Sequence, residues 1–190
     1  MTTATIFGKG NMGSAIAAIF TAGGVDVQQI DSGSGNTAVE GDIVVLAVPY
    51  SAFGDIVAAH GAKFAGKIVV DISNPIDFQT FRLAVPADGS AAGQLAEQLP
   101  DASVLKAFNT TFAATLASGT VGANPTTVLV AGDDEDAKAV LLQAVTDGGL
   151  QGIDAGALSA ARELEAIGYL QLQLAIGEKV AFTGGFSVTK

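Results

Sequence analysis

Gly8, Gly10 and Gly13 stand in "GKGNMG", directly after a short apolar run and directly before a stretch of helical spacing. Glycines at this spacing have separate physical uses. The first permits a sharp turn between strand and helix. The second lets the backbone approach a pyrophosphate, and the third lets the helix pack close to the sheet. The exposed N–H groups of the new helix, at the positive end of its dipole, bind an anion through the backbone alone. An acidic residue about 20 positions further on suits an adenosine ribose, because a carboxylate accepts from both hydroxyls of the diol. Asp31 is at that distance, at the end of a second, half-polar strand pattern. The bland alternative is a strand–turn–helix whose glycines serve packing alone.

The elements around the turn decide between these readings. Strand patterns fall at 3–7, 25–30, 42–49, 67–73, 103–108, 126–132 and, as an edge strand, 150–154. "DIVVLAVP" and "KIVVDIS" are continuous β-branched runs, as expected of strands buried on both faces of a sheet. Helical patterns fall between them at 11–24, 50–61, 89–99 and 134–148, and one long helix covers about 158–180. The alternation implies a doubly wound, mostly parallel sheet of Rossmann type with a long C-terminal helix. Residues 1–155 are expected to form the dinucleotide-binding domain, and 156–190 a helix and tail packed on it. The link from the second strand to "DIVVLAVP" is near the lower limit for a parallel crossover. A missing or one-turn helix is expected there. The third strand would then cross to the other side of the first and create a switch point beside the glycine turn.

Composition removes several kinds of chemistry. The 190 residues include no cysteine and one histidine, His60. Thiolate catalysis, iron–sulfur clusters, cysteine zinc sites and multi-histidine metal sites are therefore excluded. The formal charge is −10 with no cluster of Lys or Arg, which disfavours nucleic acid and anionic membranes as partners. The N-terminal text lacks a basic segment followed by a long apolar stretch, and no apolar run approaches a bilayer span. A cytoplasmic protein is the expectation.

Six motifs in order, "GKGNMGSAIA", "DIVVLAVP", "VVDISNP", "KAFNTTFA", "VLVAGDDEDAK" and "DAGALSAARELE", cover nearly the whole chain. With them the chain resembles the deazaflavin-dependent NADP reductases, whose partner coenzyme is factor 420. It also resembles the related NADPH-binding domain of metalloreductases of the six-transmembrane epithelial antigen type. The resemblance implies NADP as cofactor and direct hydride transfer between its nicotinamide and a flat acceptor, a flavin or deazaflavin. It implies that Gly8, Lys9, Gly10, Asn11, Met12 and Gly13 hold the diphosphate. Asp31, Ser32 and Ser34 would face the adenosine ribose. Val48, Pro49 and Tyr50 would close over the dinucleotide. Asn74 and Pro75 would border the nicotinamide, with Lys106, Ala107, Asn109 and Thr110 beneath nicotinamide and acceptor. One departure matters. "IDSGSGN" has no Lys or Arg after the second strand to clamp the 2′-phosphate of NADP. Asp31 would repel that phosphate, whereas Ser32, Ser34 and the glycine amides could cradle it, which leaves NAD as the alternative cofactor.

Several of these residues also have plainer readings. Lys106 would be catalytic if desolvated, or else a strand-end lysine reaching solvent or a carboxylate. Asn109 and Thr110 contact a ligand or form a turn. Asn74-Pro75 ends a strand, and Asp71 is a buried or capping carboxylate. Arg162 with Glu163, Glu165 and Glu178 reads as a solvated salt-bridge face. His60 reads as an exposed residue or a partner of its helix dipole. The apolar residues of the last helix spread around most of its circumference. Gly168 and Gly177 would allow close approach to the sheet and to a second subunit, so a homodimer is expected. Two other functions remain open beside the flat-acceptor reductase: a small imine or carbonyl reductase, and a non-enzymatic NAD(P)-binding redox sensor.

Overall fold

The computed structural model of the chain describes residues 2–31 and 37–189. Seven strands form the main sheet. β1 (Thr3–Phe7) leads through the glycine turn into α1 (Asn11–Ala22), and β2 (Asp26–Ile30) returns beside it. β3 (Ile43–Leu46) is followed by α2 (Phe53–His60), and β4 (Ile68–Asp71) by a small hairpin of β5 (Ile76–Asp77) and β6 (Arg82–Leu83). Then come α3 (Ala91–Gln98), β7 (Ser103–Lys106), the short α4 (Ala113–Ser118), and a second small hairpin of β8 (Thr120–Val121) and β9 (Asn124–Pro125). β10 (Thr127–Gly132), α5 (Glu135–Asp147), β11 (Gln151–Gly156) and α6 (Ala161–Ile176) complete the chain.

The sheet order is β11-β10-β7-β4-β3-β1-β2. β1 pairs in parallel with both β2 and β3, so the strand order reverses at β1, beside the glycine turn, as the short link predicts. No helix occupies residues 37–42 of that link. Thr5 fastens it from below: its Oγ1 accepts from Gly41 N at 2.8 Å and donates to Gln28 Oε1 at 2.7 Å. The expected edge strand is present as β11.

β10 runs antiparallel to β7, and β11 runs parallel to β10. The cause is the link after β7. A parallel return needs a crossover the length of the sheet, usually a full helix. Residues 107–126 hold only the six-residue α4 and a two-rung hairpin, so the chain re-enters the sheet from the edge it left.

Alternation along the strands feeds two cores. Ile6, Val45, Val70 and Leu105 point to the layer of α1, α4 and α5, where they meet Ile16, Phe20, Leu116 and Leu141. Phe7, Val44, Leu46, Val69 and Val104 point to α2 and α3, where they meet Phe53, Phe64 and Leu95. Each such side chain, fully buried, contributes about 1.5–3 kcal/mol of transfer free energy. His60 belongs to the second layer and is not exposed. Its ring stands edge-on to Phe7 with centroids 5.1 Å apart, and its Nδ1 is buried without a partner.

The last helix is shorter than the text suggests. A 3₁₀ turn at Leu158–Ala160 precedes α6, and Gly177 caps its C-terminus. Gly177 thus stops the helix. The buried stripe of α6 is Ala161, Leu164, Glu165, Gly168, Gln171 and Ala175, while Ile167, Leu170 and Ile176 face outward. No helix among the described residues is long and apolar enough to cross a membrane.

Candidate functional site

The parallel strands end together at one edge of the sheet. Gly8 follows β1, Asp31 follows β2, Ala47–Tyr50 follow β3, Ile72–Pro75 follow β4 and Ala107–Thr111 follow β7. This is the edge at which open α/β sheets bind ligands, and the switch point lies within it.

At the glycine turn each glycine has its own reason. Gly8 sits at φ +112°, and a Cβ there would overlap the carbonyl oxygen of Ala47. A Cβ on Gly13 would overlap the carbonyl oxygen of Gly8, so the start of α1 presses directly on the turn. Gly10 is different: no atom lies within 4 Å of the place its Cβ would take. Packing therefore does not account for it. Gly10 is the N-cap of α1 and makes no side-chain cap, and the first turn carries no acidic residue. The orphan amides of a helix start need acceptors. An open space bounded by such amides fits a dinucleotide diphosphate.

Beside the turn, at the ends of neighbouring strands, Lys9 Nζ pairs with Asp31 Oδ2 at 3.0 Å. Both side chains are exposed. Ser32 and Ser34 lie outside the described residues. On the other side, Val48 is half-buried, Pro49 is exposed and Tyr50 opens a 3₁₀ turn. Tyr50 donates to Gln94 Oε1 at 2.5 Å. Burial pushes its phenol pKa up, and the nearby carboxylates of Glu165 and Asp71 push it further. Gln94 also lines a cleft of about 950 Å³ between α3 and the start of α6, with Ser90, Asp133, Leu158 and Arg162 among its walls. None of the glycine-turn residues borders that cleft.

Behind this edge lies a fully buried ion triad. Lys106 Nζ is 2.8 Å from Asp71 Oδ2, 2.8 Å from Glu165 Oε1 and 2.6 Å from the Ser73 carbonyl oxygen. An ammonium has three hydrogens, and here each has an acceptor. Asp71 also accepts from Ser73 N at 2.7 Å. Glu165 accepts from Ala91 N at 3.0 Å, at the first residue of α3. Desolvation raises the Glu165 pKa, opposed by the Lys106 charge. Together the three side chains join the ends of β4 and β7 to α3 and α6. Lys106 reaches no solvent. Glu165 stands in this triad and not on a solvated face, whereas Arg162 does pair on the surface, with its neighbour Glu163.

Asn74 and Asn109 form a second brace. Asn74 Nδ2 donates to the Asn109 carbonyl at 2.9 Å, and Asn109 Nδ2 returns a 2.9 Å bond to Asn74 Oδ1. Asn109 Nδ2 also donates to the Leu164 carbonyl at 2.8 Å. Gly168 allows this: a Cβ there would overlap Asn74 Oδ1. Pro75, Ala107, Asn109 and Thr110 are all buried. Phe108, also buried, holds φ +61°, and Asn109 N bonds back to the Ala107 carbonyl at 2.8 Å, giving a γ-turn centred on Phe108. Left-handed backbone at a bulky residue is costly and concentrates at ligand sites. The Asn109 Oδ1 and Ser73 Oγ atoms are buried without partners.

Glu165 and the Lys9–Asp31 pair are the features that residue types alone did not reveal. A signal for Glu165 existed: it stands in register with Ala161, Leu164 and Gly168, the small and apolar stripe of its helix.

Known proteins share this architecture. Residues 28–75 match the model of the family described as "NADP oxidoreductase coenzyme F420-dependent". The F420-dependent NADP reductase of Methanocaldococcus jannaschii is 33% identical over 168 residues, covering 85% of this chain and 74% of that protein. The metalloreductase STEAP3 of Rattus norvegicus is 37% identical over 105 residues, which span 55% of this chain and 20% of that one. A crystal structure of a putative F420-dependent NADP reductase from Arthrobacter sp. FB24 superposes with a TM-score of 0.86 over 100% of both chains at 23% identity, a likeness of fold. The match to the M. jannaschii enzyme takes in most of both chains, and by it this chain belongs to the family of F420-dependent NADP reductases, a family of NAD(P)-dependent oxidoreductases.

Proposed function

We propose that this chain is an NADPH-using reductase that exchanges a hydride between nicotinamide and a flat acceptor, a deazaflavin or flavin. The observation that carries the reading is the empty space at Gly10, bounded by the uncapped start of α1 at the switch point. The family supports NADP as the dinucleotide, and the name of the M. jannaschii relative supports a deazaflavin.

In this reading the amides of Gly8 to Gly13 hold the diphosphate. Asp31 meets the adenosine ribose. Val48, Pro49 and Tyr50 close over the dinucleotide. Asn74, Pro75 and the Ala107–Thr110 turn border the nicotinamide, which supplies the hydride when bound. The protein's task is to place two flat rings against each other and exclude water; a side-chain acid or base is not required for that step. Lys106 then acts at a distance. Its triad fixes the ends of β4 and β7, from which Asn74 and Asn109 project.

The molecule is further proposed to work as a homodimer. The support is the outward row Ile167, Leu170 and Ile176 on α6, with Phe182, Phe186 and Val188 of the tail also exposed.

The test is a panel of acceptors mixed with NADPH, followed by loss of nicotinamide absorbance. Turnover with deazaflavin or flavin is expected. Turnover with imines or carbonyls alone would move the assignment to a small-substrate reductase. Tight NADPH binding with no turnover would make the chain a redox sensor.

A further inference from the structure

The Lys9–Asp31 pair is fixed by the backbone beneath it. Phe7 and Ile30 are partners in the β1–β2 ladder, and Gly8 N donates to the Ile30 carbonyl at 2.9 Å. Gly8, directly before Lys9, and Asp31 therefore stand side by side at the carboxyl edge. The Lys9 and Asp31 side chains are 52% and 60% exposed. An exposed pair of this kind contributes only about 0–1 kcal/mol to folding. Stability gives little reason for its presence in the mouth of the proposed ligand site.

Charge gives a better one. A carboxylate after β2 suits an unsubstituted ribose diol. The same carboxylate opposes a 2′-phosphate, a monoester carrying about −1.5 to −2 charges near neutral pH. The formal charge of −10 on the whole chain adds to the opposition. Residues 31–36 supply no Lys or Arg to counter it. Lys9, from the turn after the neighbouring strand β1, is the cation that meets Asp31. Its ammonium has three donors, so it can keep Asp31 and take a phosphate oxygen as well.

We propose that Lys9, a residue of the glycine turn, is the specificity-determining cation of this site: it neutralises Asp31 and binds the 2′-phosphate, and so sets the preference for NADPH over NADH. This rests on the dinucleotide-site reading given above. It relocates the phosphate clamp from the loop after β2 to the turn after β1.

The test is calorimetric titration of NADPH and NADH into the wild-type chain, Lys9→Met and Asp31→Asn, each checked for folding by thermal unfolding. Lys9→Met keeps the stem and removes the charge. It should weaken NADPH binding about tenfold, the scale of one charge-assisted hydrogen bond, and leave NADH nearly unchanged. Asp31→Asn should shift the ratio the other way, toward NADPH. The Lys9→Met ratio moving about threefold or more toward NADH supports the assignment, and any smaller movement overturns it. Should the wild-type chain bind neither dinucleotide, the site reading itself falls, and this inference with it. Binding of both with an unmoved ratio overturns the role of Lys9 alone.

Discussion

At the residue scale, the buried ionisable groups carry the sharpest consequences. Glu165 balances Lys106 and accepts from the start of α3. Truncation by Glu165→Ala orphans the Ala91 amide and takes one of three acceptors from the Lys106 ammonium in a closed space. Lys106 keeps Asp71, so the cost is that of buried donors left unsatisfied, about 1–3 kcal/mol. Urea unfolding should show that loss, while Glu165→Gln, which keeps an acceptor oxygen, should lose less. Equal stability of Glu165→Ala and wild type would contradict the triad. His60 gives a pH prediction. Burial, aided by the Lys63 charge, lowers its pKa below the ordinary value. The unfolded chain therefore binds the proton more readily than the folded one. The contribution of His60 to stability is complete above about pH 6.5 and is lost as pH falls from there toward the lowered folded value. Between about pH 7.5 and 5 the wild-type chain should lose more stability than His60→Leu. An equal loss in both would place the imidazole in solvent.

At the scale of elements, Gly168 and Gly177 look alike in the text and differ in the molecule. Gly168 lets α6 touch the Asn74–Asn109 brace, whereas Gly177 caps the helix end. Inside a helix, as at Gly168, alanine is favoured over glycine by about 1 kcal/mol. At Gly168 the overlap with Asn74 should outweigh this, for a net loss of about 1–3 kcal/mol, as is usual for overpacking. Gly177→Ala should change stability by less, and the reverse order in thermal unfolding would contradict the packing described. The same contrast explains what the sequence made legible. Continuous β-branched runs announced the central strands because burial on both faces leaves no polar alternation. The glycine turn was legible because Gly8 and Gly13 obey steric rules that only glycine meets. The apolar text overran the strands, predicting strand to Phe108 where β7 ends at Lys106. Ala107 and Phe108 are fully buried in the site turn itself, and periodicity cannot separate a buried turn from a buried strand. The direction of β10 was not legible either, since it depends on the shortness of α4 and not on any property of β10. Lys106, Asp71 and Glu165 are far apart in the chain, so their triad could be read only once the sheet had brought them together.

At the scale of the whole molecule, α6 shows two faces. One carries Leu164, Glu165 and Gly168 into the site; the other exposes Ile167, Leu170 and Ile176. A row of exposed apolar residues on the helix that braces the site is well placed for a second copy. Light scattering at micromolar concentration should give twice the 18.9 kDa of one chain. Leu170→Glu should shift the distribution to monomer without unfolding it, because the side chain already faces solvent in the single chain. A wild-type protein that scatters as 18.9 kDa would contradict the dimer and leave the site reading untouched.

The central claim is that the open face of the glycine turn at Gly10 takes a dinucleotide diphosphate. Gly10 has φ −72° and ψ −176°, a conformation open to any L-residue, and nothing within 4 Å of a Cβ. Gly10→Val should therefore fold, and its added methyl groups should occupy only the place of the ligand. Calorimetry with NADPH on the folded variant is the direct measurement. Affinity should fall at least about a hundredfold, a loss near 2.8 kcal/mol, with the unfolding midpoint of the free protein little changed. Wild-type affinity in the folded Gly10→Val protein would contradict the account, because the dinucleotide would then have to lie elsewhere.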